Sequence, residues 1–206
     1  MMNDRKSKFH LIAVGLGLAL AVSLTHATEV AEKVAVCAGC HGAEGRSAVP
    51  DNPILASQHE TYLTSSLQAY AKGERDHGIM NTMASRLNAE DMAEVAAYYA
   101  AQTPYQSAAM PSGDAASGKE KTVACTGCHG AEGRSENPMF PKLAGQHAAY
   151  LSMALQGYKS GARKNAMMAP GMLEPLSDQD IDDIAAYYAS QPALQAQSST
   201  DQEVKQ

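Results

Sequence analysis

Cys37, Cys40 and His41 stand in the stretch VCAGCHGAEGRS, and Cys125, Cys128 and His129 in ACTGCHGAEGRS, 88 positions further on. They include all four cysteines of the chain. A C-x-x-C pair used for thiol redox chemistry leaves the next residue free, whereas C-x-x-C-H is the pattern for covalent attachment of a c-type haem. Two thiols at that spacing reach the two vinyl groups on one porphyrin edge, and the following imidazole is carried under the iron. Zinc would pool the two pairs, but 84 residues separate them. Two disulfides would leave both histidines without a role. The expectation is two covalently bound haem c groups, attached through Cys37, Cys40, Cys125 and Cys128, with His41 and His129 as axial ligands.

The other axial position decides whether iron carries electrons or acts on a bound molecule. Met80 and Met168 share the 88-residue offset of the haem motifs, and a thioether paired with imidazole favours ferrous iron and raises the potential. Met83 competes in the first half, and Met167 and Met172 in the second. Met172 is the alternative to Met168, because it lies four residues before Leu176 as Met83 lies four before Leu87. Any one methionine also reads as core filler. His59 and His147 are in register and could ligate as a second pair of imidazoles, but they follow the proximal histidines by only 18 residues. A structural or propionate-side role suits them better. Arg46 and Arg134, just past each motif, read either as propionate partners or as solvated loop residues.

These side chains must be positioned by something, and the repeat says what. PILASQHETYLTSSLQAYAKGER from Pro53 aligns with PKLAGQHAAYLSMALQGYKSGAR from Pro141, and EDMAEVAAYYAAQTP later aligns with QDIDDIAAYYASQPA at an offset of 89. Each half reads as three helices. The first leads into the haem motif, with Val30, Val34 and Cys37 on one face. The second runs from near His59 or His147 to Gly73 or Gly161. The third is N-capped by Asn88 or Ser177, with an apolar face at Met92, Val95, Ala96 and Tyr99, or Ile181, Ile184, Ala185 and Tyr188. No strand pattern competes, so the fold class is all-α. Residues 102–118, rich in Ser, Ala, Gly and Pro, read as a linker, and 195–206 as a polar tail. The domains are therefore 28–105 and 106–194. With no Trp and two Phe, each small core is thin unless a haem completes it.

Arg5, Lys6 and Lys8 precede a 14-residue apolar run, residues 11–24, and THA ends at Ala27. Residues 1–27 are thus expected to be a signal peptide, the run being shorter than the roughly 20 residues of a spanning helix. The expected location is the periplasm. Removing three basic residues and one acidic residue takes the formal charge from −6 to −8. That acidity argues against nucleic acid and for redox partners with a basic patch. A retained N-terminus, the alternative, would bring peripheral membrane association.

The two C-x-x-C-H-G motifs, PKLAGQHAAYL and LSDQDIDDIAAYYASQ together resemble the c4-type cytochromes, dihaem members of the class I c-type cytochromes. The resemblance spans nearly the whole mature chain. It implies two tandem class I cytochrome c domains and an electron carrier, not an enzyme. The donor would be a protein such as a quinol–cytochrome c reductase and the acceptor a terminal oxidase. In that family the ligand methionine lies seven residues before the Leu opening the last helix; Met80 fits, while Met168 is one residue further from Leu176. The family's prolines match Pro53 and Pro141, whose carbonyls would accept the Nδ1–H of His41 and His129. A dihaem peroxidase or thiosulfate-oxidising enzyme, or a cytochrome subunit of a larger membrane-bound complex, are the alternatives. The enzymes need two unlike haems, and with no fifth cysteine the sequence offers no thiolate ligand.

Overall fold

The computed structural model describes residues 29–109, 111–168 and 170–193, with backbone alone at 170. The expected signal segment and the tail lie outside them. Among the described residues the chain is helical without extended strands, and it repeats one arrangement twice.

In the first half, α1 (29–41) ends in the haem motif, followed by a 3₁₀ turn at Ala43–Gly45, α2 (Glu60–Ala71), α3 (Gly78–Ala84) and α4 (Ala89–Ala100). In the second half the first helix is broken into α5 (Ala115–Lys121) and α6 (Thr126–His129), followed by a 3₁₀ turn at Ala131–Gly133, α7 (Ala148–Lys159), α8 (Pro170–Leu173) and α9 (Asp178–Ser190). The last helix of each half starts from a complete capping box. Asn88 accepts from Asp91 N and Ser177 from Asp180 N, and each acidic side chain answers to the cap backbone. Met92, Val95, Ala96 and Tyr99 are buried along α4, and Ile181, Ile184, Ala185 and Tyr188 along α9, as the 3.6-residue period predicts.

Two small cores result. Val34, Leu63, Val95, Ala96 and Tyr99 form one, against which Val30, Cys37 and Leu67 pack. Leu151, Ile184, Ala185, Tyr187 and Tyr188 form the other, against which Cys125, Leu143 and Leu155 pack. Each haem motif is thereby fixed to the last helix of its half through its first cysteine.

The linker expectation over 102–118 needs correcting at its end. Asp114 accepts from Ala116 N and Ser117 N, so residues 115–118 are the opening of α5. Their small side chains mark close approach rather than freedom, since a Cβ on Gly118 would collide with the Asp183 carbonyl in α9. Lys121 and Asp183 seal this contact at 2.7 Å.

The two halves face each other through reciprocal contacts, residue i of one meeting residue j of the other and the converse, as in an isologous interface. Gln146 bonds both peptide groups of Ile54, and Gln58 bonds both peptide groups of Lys142. His59 Nε2 lies 2.8 Å from Ser135 O, and His147 Nε2 2.9 Å from Ser47 O. Arg75 donates to the Tyr150 hydroxyl at 3.0 Å and Arg163 to the Tyr62 hydroxyl at 3.1 Å, while the two arginine backbones form an antiparallel bridge. Each guanidinium also lies 4.4 Å from a tyrosine ring of its own half, Tyr70 or Tyr158.

Candidate cofactor sites

Because α1 and α6 carry the motif to their last residue, Cys37, Cys40 and His41 are placed by one helical turn, as are Cys125, Cys128 and His129. Cys40 and Cys128 are exposed, Cys37 and Cys125 half-buried, and all four thiols are free of disulfides. Gly42 and Gly130 then turn the chain sharply, with φ of 75° and 73° in the left-handed region. The chain returns past the histidine as an extended loop whose amides bond the turn: Leu55 N to Gly45 O, and Leu143 N to Gly133 O.

That loop brings a carbonyl to each imidazole. His41 Nδ1 lies 3.0 Å from Pro53 O, and His129 Nδ1 3.0 Å from Pro141 O. A carbonyl only accepts, so Nδ1 carries the proton and Nε2 keeps its lone pair. Both rings are 7% exposed. Burial lowers both histidine pKa values, the carbonyl bonds oppose that, and at His41 the charge of His77 adds to the lowering. A neutral imidazole with a free Nε2 is what an axial iron ligand requires. Burial also pushes the Cys37 and Cys125 thiols up. Beside those thiols lie the buried hydroxyls of Tyr99 and Tyr188, at equivalent places in the two halves, each facing the thiol without a hydrogen bond of normal geometry. Thiols free of disulfides at the right spacing and a free imidazole nitrogen fit a haem in each half. Among the described residues no three His, Cys, Asp or Glu side chains gather as a metal cluster.

Met80 and Met83 are both half-buried on α3, a helix that packs against α2 and whose N-cap is His77. In the second half Met168 is half-buried, whereas Met167 is 55% and Met172 47% exposed. Met80 N bonds His77 Nδ1 and Met168 N bonds Asn165 Oδ1, each to a side chain three residues earlier. The two settings differ otherwise, since Met80 is the third residue of α3 whereas Met168 lies in a turn two residues before α8.

Several sequence candidates have other work. His59 and His147 cross to the opposite half, as described. His147 Nε2 must donate to the Ser47 carbonyl, so Nδ1 accepts from the Ser107 hydroxyl at 2.7 Å. Arg46 pairs with Glu44 at 3.0 Å, and Arg134 with Glu132 and the Pro192 carbonyl. Both arginines thus pair within their own surface loops. Sequence reasoning missed Gln58 and Gln146. The only signal was their identity in the two repeats, which does not say that each acts on the other half.

The cytochrome c family profile matches this chain twice, over residues 28–101 and 115–192. Cytochrome c4 of Pseudomonas aeruginosa is 36% identical over 86% of this chain and 94% of its own. The thiosulfate dehydrogenase electron acceptor of Thiomonas intermedia is 32% identical over 82% of this chain and 84% of its own. The crystal structure of reduced recombinant cytochrome c4 from Pseudomonas stutzeri superposes with a TM-score of 0.69 at 31% identity, covering 80% of this chain and 98% of that one. Repeat, fold and motifs agree with these relatives, and the chain belongs to the cytochrome c family as a c4-type dihaem electron-transfer protein carrying two covalently bound haem c groups.

Proposed function

We propose that the protein works in a periplasmic respiratory chain, taking electrons from a donor such as a quinol–cytochrome c reductase and passing them to a terminal oxidase. Each haem supplies a one-electron ferric/ferrous couple when bound. The chain's own residues do the rest. His41 and His129 are proposed as proximal ligands, their neutral imidazoles aimed by the Pro53 and Pro141 carbonyls. Met80 and Met168 are proposed as distal ligands, softening the site toward ferrous iron. Cys37 and Cys125 tie each haem motif to the core of its half.

The observation that carries this reading is the equivalence of the two sites. Both imidazoles are equally buried, with the same bond to the same kind of carbonyl at the same distance. A dihaem enzyme needs one site to differ in ligation or access, so matched sites support carriage over turnover. Likeness to the Thiomonas electron acceptor favours a second donor, a thiosulfate dehydrogenase, without changing the role of this chain.

The test uses the exported holoprotein. Mass spectrometry and a pyridine haemochrome assay should give a mature start near residue 28 and two covalent haems. Stopped-flow mixing should show reduction by the reductase or the thiosulfate enzyme, and reoxidation by oxidase-containing membranes. Rapid carbon monoxide binding by the native ferrous protein, or peroxide turnover well above that of free haem, would favour the enzyme.

A further inference from the structure

We infer that Gln146 is a positioning residue for the haem of the first half, and Gln58 for the haem of the second, each acting across the junction. The inference rests on the reading of His41 and His129 as iron ligands. Gln146 Oε1 accepts from Ile54 N at 2.8 Å, and its Nε2 donates to Ile54 O at 2.9 Å. Ile54 directly follows Pro53, whose carbonyl accepts from His41 Nδ1 at 3.0 Å. The planar amide therefore holds both peptide groups of one residue, next to the carbonyl that aims the ligand. Gln58 does the same to Lys142, next to Pro141 and His129, with both bonds at 2.9 Å. Neither glutamine touches the proximal loop of its own half in this way; Oε1 of each meets only the following backbone amide there, His59 N or His147 N at 3.0 Å.

The clamps are enclosed. Gln58 and Gln146 are each 7% exposed, and Ile54 is 5% exposed. Buried amide groups stay paired because leaving them unpaired is costly, so Ile54 must either keep Gln146 or shift its peptide. A shift would turn the Pro53 carbonyl away from His41. The Nδ1–H bond to a carbonyl makes an imidazole a stronger donor to its metal, and a stronger donor stabilises ferric iron. Weakening that bond therefore raises the potential of the haem it serves. Lys142 is less enclosed than Ile54, and its ammonium has a second anchor at Ser57 O, 2.6 Å away. The Gln146 clamp should accordingly matter more.

The experiment compares Gln146→Ala, Gln58→Ala and, as a control, Tyr62→Phe with Tyr150→Phe, which removes cross-junction bonds elsewhere. Both potentials are read by spectroelectrochemistry on the dihaem protein, and the ring Nδ1–H resonances of His41 and His129 by NMR in the reduced state. The haems are assigned by contacts to their own cysteines. The expected pattern is crossed. Gln146→Ala raises the potential of the first haem and moves the His41 Nδ1–H signal upfield; Gln58→Ala does so, less strongly, for the second haem and His129; the Phe control leaves both in place. Should Gln146→Ala fail to accumulate, Gln146→Glu serves, since it keeps the acceptor for Ile54 N and loses the donor to Ile54 O. Shifts confined to the haem of the mutated half, unchanged potentials and ring signals, or equal shifts in the Phe control would overturn the inference. A wild-type spectrum lacking His/Met ligation would instead defeat the ligand assignment on which it rests.

Discussion

An imidazole whose Nδ1–H donates to a carbonyl has one nitrogen left to offer, and this chain sets up that situation twice, 88 residues apart. What remains to be chosen at each site is the other ligand. Met80→His should lower the first haem's potential and leave the second nearly unchanged, because a harder donor favours ferric iron. Met168→His should do the reverse. Met172→Leu should disturb packing alone, by less than about 1.5 kcal/mol for a volume-conserving swap. Optical and magnetic circular dichroism titrations check all three, and loss of low-spin coordination in Met172→Leu would move the ligand to Met172. The attachment residues were legible because C-x-x-C-H is a local pattern whose chemistry needs nothing distant. The glutamine clamps were not, since their bonds span 92 and 84 positions and a shared Gln gives no direction. The choice between ligation and structure for His59 and His147 had the same obstacle, with partners 76 and 100 residues away.

At the level of elements, the long amphipathic helices were readable from their period and their capping residues. The short ones were not. Gly78–Ala84 is seven residues long, fewer than periodicity can distinguish from a loop, yet it carries Met80. The opening of α5 looked like linker because its residues are small, and the structure shows why they are small: Gly118 abuts the backbone of Asp183. Gly118→Ala should force α5 off α9 and cost on the order of 1–3 kcal/mol, the usual penalty for overpacking. Urea unfolding followed at the second haem measures it, and an unchanged midpoint would refute the contact. The same seam should respond to acid. Lys121 first, then Ser117, Gln179 and the Asp114 amide, hold Asp183 well below the usual carboxylate range, and Lys121 with Ser177 holds Asp180 at about 2. Groups whose folded pKa is depressed stabilise the fold above the unfolded value of about 4 and lose that contribution as pH falls below it. Thermal midpoints should therefore drop between about pH 4 and 2, and Asp183→Asn should flatten that drop while lowering the midpoint at pH 7.

Over the whole molecule the symmetry of the repeat becomes an energetic statement. Where both halves supply the same residues, equivalent substitutions should cost the same; where the sequence breaks the symmetry, they should not. Arg75 with Tyr150 and Arg163 with Tyr62 are matched pairs of partly buried groups at 3.0 and 3.1 Å. Tyr62→Phe and Tyr150→Phe should each cost about 1 kcal/mol, the scale of one hydrogen bond, and agree within the few tenths of a kcal/mol to which such bookkeeping holds. The glutamines are matched in type but not in target, because Ile54 stands in the first half where Lys142 stands in the second. Gln146→Ala orphans two buried peptide groups, at about 1–3 kcal/mol for each group left unpaired. Gln58→Ala uncovers groups that water can partly reach, and Lys142 keeps its hold on Ser57. Denaturant unfolding of the four single variants, followed by haem absorbance and far-ultraviolet circular dichroism, should thus return two equal tyrosine values and two unequal glutamine values, with Gln146 the larger. If Gln58→Ala proves as costly as Gln146→Ala, the Lys142 anchor contributes nothing and the junction is symmetric in energy as well as in form.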